Sequence, residues 1–188
     1  MNWDSSNYEN IPISWLEREQ PNPLGPGQPN QAVINELGQM TGADLFAPRK
    51  ARDQQMANCC LAGLWLLHDF LDRSHDISQQ IHTTAGSYWH GLMHRREPDF
   101  SNACYWFRKV RQHPIHKQLL PEAVILARAC PAASSELAAM ADWQPDRFVD
   151  LCEAALTGDD ELLRATCERI ALLEWRLLFD DCYQRALK

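Results

Sequence analysis

The chain has 188 residues, 45% hydrophobic and 23% charged, the balance of a folded globular protein rather than a disordered one. Eighteen Lys+Arg against 25 Asp+Glu leave a formal net charge of −7, which argues against a surface built to coat nucleic acid. No apolar run reaches the roughly 18 to 20 residues needed to span a bilayer, and MNWDSSNYEN lacks the basic and apolar regions of a secretory signal.

In chain order, residues 1–30 hold Pro12, Pro21, Pro23, Pro26 and Pro29, the composition of an extended arm. Trp3, Tyr8 and Trp15 can pin that arm onto a single helical domain over 31–188. From position 30 the periodicity is helical, with no strand-length alternation, so the expected fold is all-α: a compact array of about six to eight helices paired as hairpins. A short helix is predicted over 31–40 and a core helix over 50–72, where Met56, Cys60, Leu64, Leu67 and Leu71 repeat at i+4 and i+3. Asp76 with Gln79 reads as a capping box opening a helix over 76–95. Asp99 caps the next, over 100–112, and Pro114 stops it. Shorter helices follow near 116–129 and 134–142. Pro145 suits the first turn of a helix over 146–157, which Gly158 ends. Asp159 or Asp160 opens the last, 160–186, with Leu162, Thr166, Ile170, Leu173 and Leu177 as its packing stripe.

Seven cysteines, at 59, 60, 104, 130, 152, 167 and 182, form no CxxC pair and no zinc-finger spacing. Such an odd set among apolar neighbours reads as reduced core thiols and points to a reducing compartment, the cytoplasm. Only Cys104 lies near basic residues able to lower a thiol's pKa, as a nucleophile requires.

All seven histidines fall between His68 and His116. On a wheel over 76–94, Ile77, Ile81, Ala85, Tyr88, Trp89 and Leu92 gather on one side. Gln79, His82, Gly86, His90 and Met93 line the other, with His75 joining if the helix starts a turn early and His94 at the edge. That face carries none of the Lys, Glu and Asp usual on a solvated surface, so it suits a covered, ligand-lining role.

Three chemistries compete for it. The first is a His/Arg-lined pocket for a small anionic molecule bearing phosphate or carboxylate. The segment from His82 to Lys117 has a local net charge of +4, and Arg95 and Arg96 can present guanidinium forks to an oxyanion. His90 and His94 would then supply hydrogen bonds or proton transfer, with Glu97 or Asp99 orienting a base. Asp99 and Asn102 stand at a helix N-terminus, where backbone N–H groups also attract anions.

The second is a divalent metal. His90 and His94 are i,i+4, the spacing of helical metal sites, with an acid, His68 or His75 as the next ligand. Against it, position 91 is Gly where the zincin pattern needs Glu, and Arg95 and Arg96 beside the pair would repel a cation. The third is acid–base catalysis by His68 with Asp72, or by His75 with Asp72 or Asp76. No G-x-S-x-G, G-x-G-x-x-G or GKS/T occurs, so the matching serine-hydrolase and nucleotide-loop chemistries are absent.

The run YWHGLMHRREPDFSNACYWFRKVRQHP, residues 88–114, resembles the signature of an uncharacterised protein family of fungi and bacteria that shares Y-W-H-G-x-M-H-R-R-E-x-D-x-x-N-A-x-Y-W-F-R. The resemblance covers about a sixth of the chain and implies no established activity. The site positions it carries over are His90, His94, Arg95, Arg96, Glu97, Asp99 and Asn102. The same run is similar to one Sel1 or tetratricopeptide helix pair, through Gly91 and then Asp99, Ala103, Trp106 and Phe107. A solenoid needs at least about three stacked copies and only one is found. This second resemblance implies a helical hairpin over 78–112 and, as a further alternative, a non-catalytic interaction module.

Overall fold

A computed structural model describes residues 3–18 and 20–188, and among them ten α-helices and no strand form. Two are single turns, α1 (Ile13–Leu16) and α2 (Ile34–Leu37). The others are α3 (Gln54–Leu67), α4 (Leu71–Ser78), α5 (Thr84–Arg96), α6 (Phe100–Val110), α7 (His116–Leu126), α8 (Pro131–Ala138), α9 (Pro145–Thr157) and α10 (Glu161–Leu187). The chain is all-α, as its periodicity predicts. No described helix is long and apolar enough to cross a membrane.

Two predicted helices divide differently in space. The stretch 50–72 divides into α3, capped by Asp53, whose carboxylate accepts from the Gln55 and Met56 amides, and the start of α4 at Leu71. The first stops at His68 because Asp69 takes a left-handed φ of 65°, a conformation that a short polar side chain tolerates better than most. The stretch 76–95 is likewise two elements. Asp76 lies inside α4 and opens nothing; the true cap is Thr83, whose hydroxyl accepts from Gly86 N at 3.0 Å. Its competitor loses because Gln79 already closes α4, its N–H bonded to the His75 and Ile77 carbonyls.

Other boundaries follow the sequence signals. Asp99 caps α6 by accepting from Asn102 N, Pro145 fills the first turn of α9, and Asp160 caps α10 by accepting from Leu163 N at 2.9 Å. The α10 stripe shifts by one residue at its start: Leu162 is exposed and Leu163 is buried in its place.

The core lies between α3 and α10, both buried over most of their surface. At about 1.5 Å per residue α10 runs some 40 Å, packing on α3, α7, α8 and α9. Segments before residue 30 also enter this core, with Tyr8, Ile11, Trp15, Leu16 and Leu24 all buried. Tyr8 stands edge-on to Tyr183 and Phe179 of α10.

What positions the site is the α5–α6 hairpin, closed by residues 97–99. Its antiparallel contacts pair Gly91 with Phe107, His90 with Trp106 and His94 with Asn102. Gly91 sets the spacing, because a Cβ there would stand 2.8 Å from the Phe107 ring. Gly91→Ala therefore forces the two helices apart and is expected to destabilise the protein by about 1–3 kcal/mol, read from urea unfolding. A change within 0.5 kcal/mol, as for an ordinary surface site, would contradict this packing.

Candidate metal centre

The histidine-rich segment resolves into two buried groups on different faces of α5. On one face, His75 from α4 and His90 and His94 from α5 bring one ring nitrogen each to within 4.8 Å of one another. They are the single group of three or more potential metal ligands this close among the described residues. Ring centres lie 4.7 Å apart for His75 and His90, 4.7 Å for His90 and His94, and 5.4 Å for His75 and His94. His90 and His94 are buried, at 2% and 5% exposure, while His75 stands half-buried at the rim.

Each ring of the buried pair has a partner at Nδ1. Ser78 Oγ lies 2.9 Å from His90 Nδ1 and 3.3 Å from the His75 carbonyl, so the hydroxyl holds His90 by its Nδ1 edge. His94 Nδ1–H donates to Glu97 Oε2 at 3.1 Å. In His94, whose Nδ1 faces this carboxylate, Nε2 is left as the lone-pair nitrogen. The His94 lone pair accepts from Asn102 Nδ2 at 3.1 Å. A partner on Nδ1 that fixes the ring and frees Nε2 is the usual outer support of a metal-binding histidine.

Both rings are also held neutral. Burial, with His94, His75 and Lys109 nearby, pushes the His90 pKa down to about 3. Burial lowers His94 as well, against the pull of Glu97. Neutral imidazole is the form that donates to a metal.

The wall of the cluster comes from α6. Asn102, Trp106 and Lys109 fall at i, i+4 and i+7, one stripe of that helix. The Trp106 ring centre is 4.2 Å from that of His90, and Lys109 Nζ sits 3.8 Å from the Trp106 centre.

The expected arginine lining does not assemble here. Arg95 turns to the opposite side of α5, where it is buried and donates to Glu174 Oε2 at 2.6 Å. Arg96 donates to Asp69 Oδ1 at 2.5 Å and to the Gly25 carbonyl at 3.0 Å. Asp69 also accepts from Arg18 at 3.0 Å and Asn22 at 2.8 Å, so this buried carboxylate ties the N-terminal segment to the end of α5. Each guanidinium thus pairs with an internal carboxylate, which offsets its charge toward a cation, although Arg95 Nη1 is buried without a hydrogen-bond partner. Gln79 and His82 are exposed and outside the cluster, since the chain breaks between α4 and α5 where a continuous helix was expected. Asp99 is spent as the α6 cap, next to the site rather than in it.

The proposed acid–base pairs separate too. His68 is buried with Nε2 on the Trp15 carbonyl at 3.1 Å and Nδ1 by Asn30 at 3.2 Å. His75 Nδ1 is 3.9 Å from Asp76, beyond hydrogen-bond range. Cys104 has its thiol pKa raised, by burial and by Asp146 and Asp150, so it is no activated nucleophile.

Sequence reasoning missed Ser78, Trp106 and Lys109 as members of the site. The i, i+4, i+7 spacing of Asn102, Trp106 and Lys109 was the readable signal. Nothing in the spacing alone marks Ser78, which meets His90 only because α4 folds back on α5.

On the opposite face, His113 and His116 lie edge-on to Tyr88 at ring-centre distances of 5.3 and 5.6 Å. Burial pushes each down to a pKa of about 4, although Asp181 stands 3.6 Å from His113 Nε2. The unfolded chain protonates these rings near pH 6.5 and the native one does not, so stability is full above about pH 6.5 and is lost as pH falls toward 4. At pH 5 the pair is expected to take up about 1.8 protons on unfolding, a slope of about 2.4 kcal/mol per pH unit. Urea melts between pH 4.5 and 7 check it; flat stability across that range would contradict the buried neutral pair.

No family model, curated protein or solved structure matches the chain.

Proposed function

We propose that this protein binds a divalent transition metal, with zinc as the best-fitting ion, through His75, His90 and His94, and that the metal is its working centre. The observation that carries the reading is the convergence of three imidazoles from two helices, with both buried rings held at Nδ1 by Ser78 and Glu97. Imidazole nitrogen suits zinc, copper, nickel and iron better than calcium or magnesium. Three protein ligands with a fourth position open is the donor pattern of catalytic rather than structural zinc.

The cluster needs a modest adjustment to close on an ion. Zinc–nitrogen bonds of about 2.0–2.1 Å put tetrahedral ligand nitrogens some 3.4 Å apart, so the widest gap contracts by up to about 1.5 Å. His75, half-exposed and free of a side-chain hydrogen bond shorter than 3.5 Å, has the freedom to supply that movement. Asn102 must turn its amide N–H away from His94 Nε2, which frees that group to face a ligand. In this reading His90 and His94 are metal ligands, and Glu97 orients His94. A bound ion lowers the pKa of its water toward neutrality, the basis of hydrolytic and hydration chemistry at such centres. The seven free thiols support the cytoplasm as the compartment.

The test is metal content after loading untagged protein with zinc and desalting. The wild-type chain is expected to retain about one equivalent and His75→Ala under about 0.1, with the far-ultraviolet helix signal unchanged. The rim position of His75 makes this variant the one most certain to fold. Wild-type protein that retains under about 0.1 equivalent would sink the reading.

A further inference from the structure

Resting on the metal reading above, we infer that the ligand completing the centre is a small oxyanion, a carboxylate or phosphate group, and that Lys109 selects it. Lys109 is the third residue of the α6 stripe whose first two, Asn102 and Trp106, touch His94 and His90. Its ammonium lies over two rings, 3.8 Å from the Trp106 centre and 4.4 Å from that of Tyr105. The shared Trp106 contact places it no more than about 8 Å from the His90 ring centre.

Among the described residues this ammonium pairs with no carboxylate, in contrast to its neighbours. Arg95 has Glu174, Arg96 has Asp69, and Arg108 has Asp146 at 3.8 Å. Among the described residues the partners of this exposed side chain are two aromatic faces, which use none of its three N–H donors as conventional hydrogen bonds. An unneutralised ammonium beside a divalent cation is repelled by it, and an anion held between the two offsets both charges. One oxygen of a carboxylate or phosphate takes the open metal position, and a second meets Lys109 Nζ. The Asn102 amide, once turned from His94, offers a further N–H. A neutral ligand offsets neither charge. Charge complementarity therefore makes Lys109 a specificity-determining residue rather than a metal ligand.

The experiment uses the full chain loaded with Co2+, whose visible d–d absorption reports the fourth ligand. Acetate, inorganic phosphate and, as a neutral control, free imidazole are titrated against wild type, Lys109→Met and Lys109→Arg. Lys109→Met is expected to weaken anion binding at least tenfold while metal content and imidazole affinity stay within twofold. Lys109→Arg is expected to restore anion affinity to within threefold of wild type. A loss confined to phosphate assigns a phosphoryl-bearing ligand, and a loss for both anions admits carboxylates. Anion affinity within twofold of wild type in Lys109→Met overturns this inference and leaves the metal centre standing. Failure of the wild-type chain to take up cobalt overturns both.

Discussion

Glu174→Ala is expected to destabilise the protein by about 3–5 kcal/mol, the cost of stranding a buried charge. Glu174 is fully buried in the middle of α10 and accepts from Tyr88 Oη at 2.8 Å and Arg95 Nη2 at 2.6 Å. Its removal leaves the Arg95 guanidinium, 4% exposed, with no ion-pair partner and with the Phe148 and Phe107 faces beside it at 4.8 and 6.0 Å. Tyr88 loses its acceptor in the same step. For a chain of this length, each kcal/mol moves the melting temperature by about 2–4 °C, so a fall of roughly 6–20 °C follows. The double variant Arg95→Met with Glu174→Leu separates a stranded charge from a lost attraction. Apolar side chains of similar size avoid the desolvation cost, so it is expected to recover most of the loss. A double variant no better than Glu174→Ala would mean that the pair itself, rather than the orphaned arginine, carries the stability.

The second large effect is stabilisation by zinc. A ligand that binds only the native state adds about 2.7 kcal/mol at a hundred times its Kd, which for this chain is a rise of about 5–11 °C in Tm. His75→Ala should abolish the rise. It should leave the metal-free Tm nearly unchanged, because His75 is half-exposed and its side chain makes no short hydrogen bond. Calorimetry with and without zinc measures both. An equal rise in wild type and His75→Ala would place the stabilising ion elsewhere.

The fold was legible where a local signal decides the outcome. Caps at Asp99 and Asp160, Pro145 in a first turn and the apolar spacing of α3 all act within a few residues, and they hold in space. The reading failed where two local signals competed. Asp76 and Thr83 both resemble caps, and the choice rests on the α4 turn closing at Gln79. That one break moved Gln79 and His82 out of the site and let α4 swing His75 and Ser78 against His90.

The candidate site was legible as a segment but not as a constellation. His90 and His94 share a face by helical spacing alone, and His75 was on the same face only if the helix began early. The ion pairs of Arg95 and Arg96 were not legible, because their partners, Glu174 and Asp69, lie 79 and 27 residues away in the chain. No periodicity links residues so separated. Read locally, the basic run looked like a free anion site beside the histidines. In three dimensions each guanidinium turns inward to a buried carboxylate, and the cation left unpaired by the cluster is Lys109, supplied by the other arm of the hairpin.

Anomalous diffraction at the zinc edge from a zinc-soaked crystal tests the central claim most directly. The expected result is one strong peak bonded to His75, His90 and His94 at about 2.0–2.1 Å, with Asn102 turned away from His94. A map with no peak between those rings, or a peak held by other residues, would contradict it.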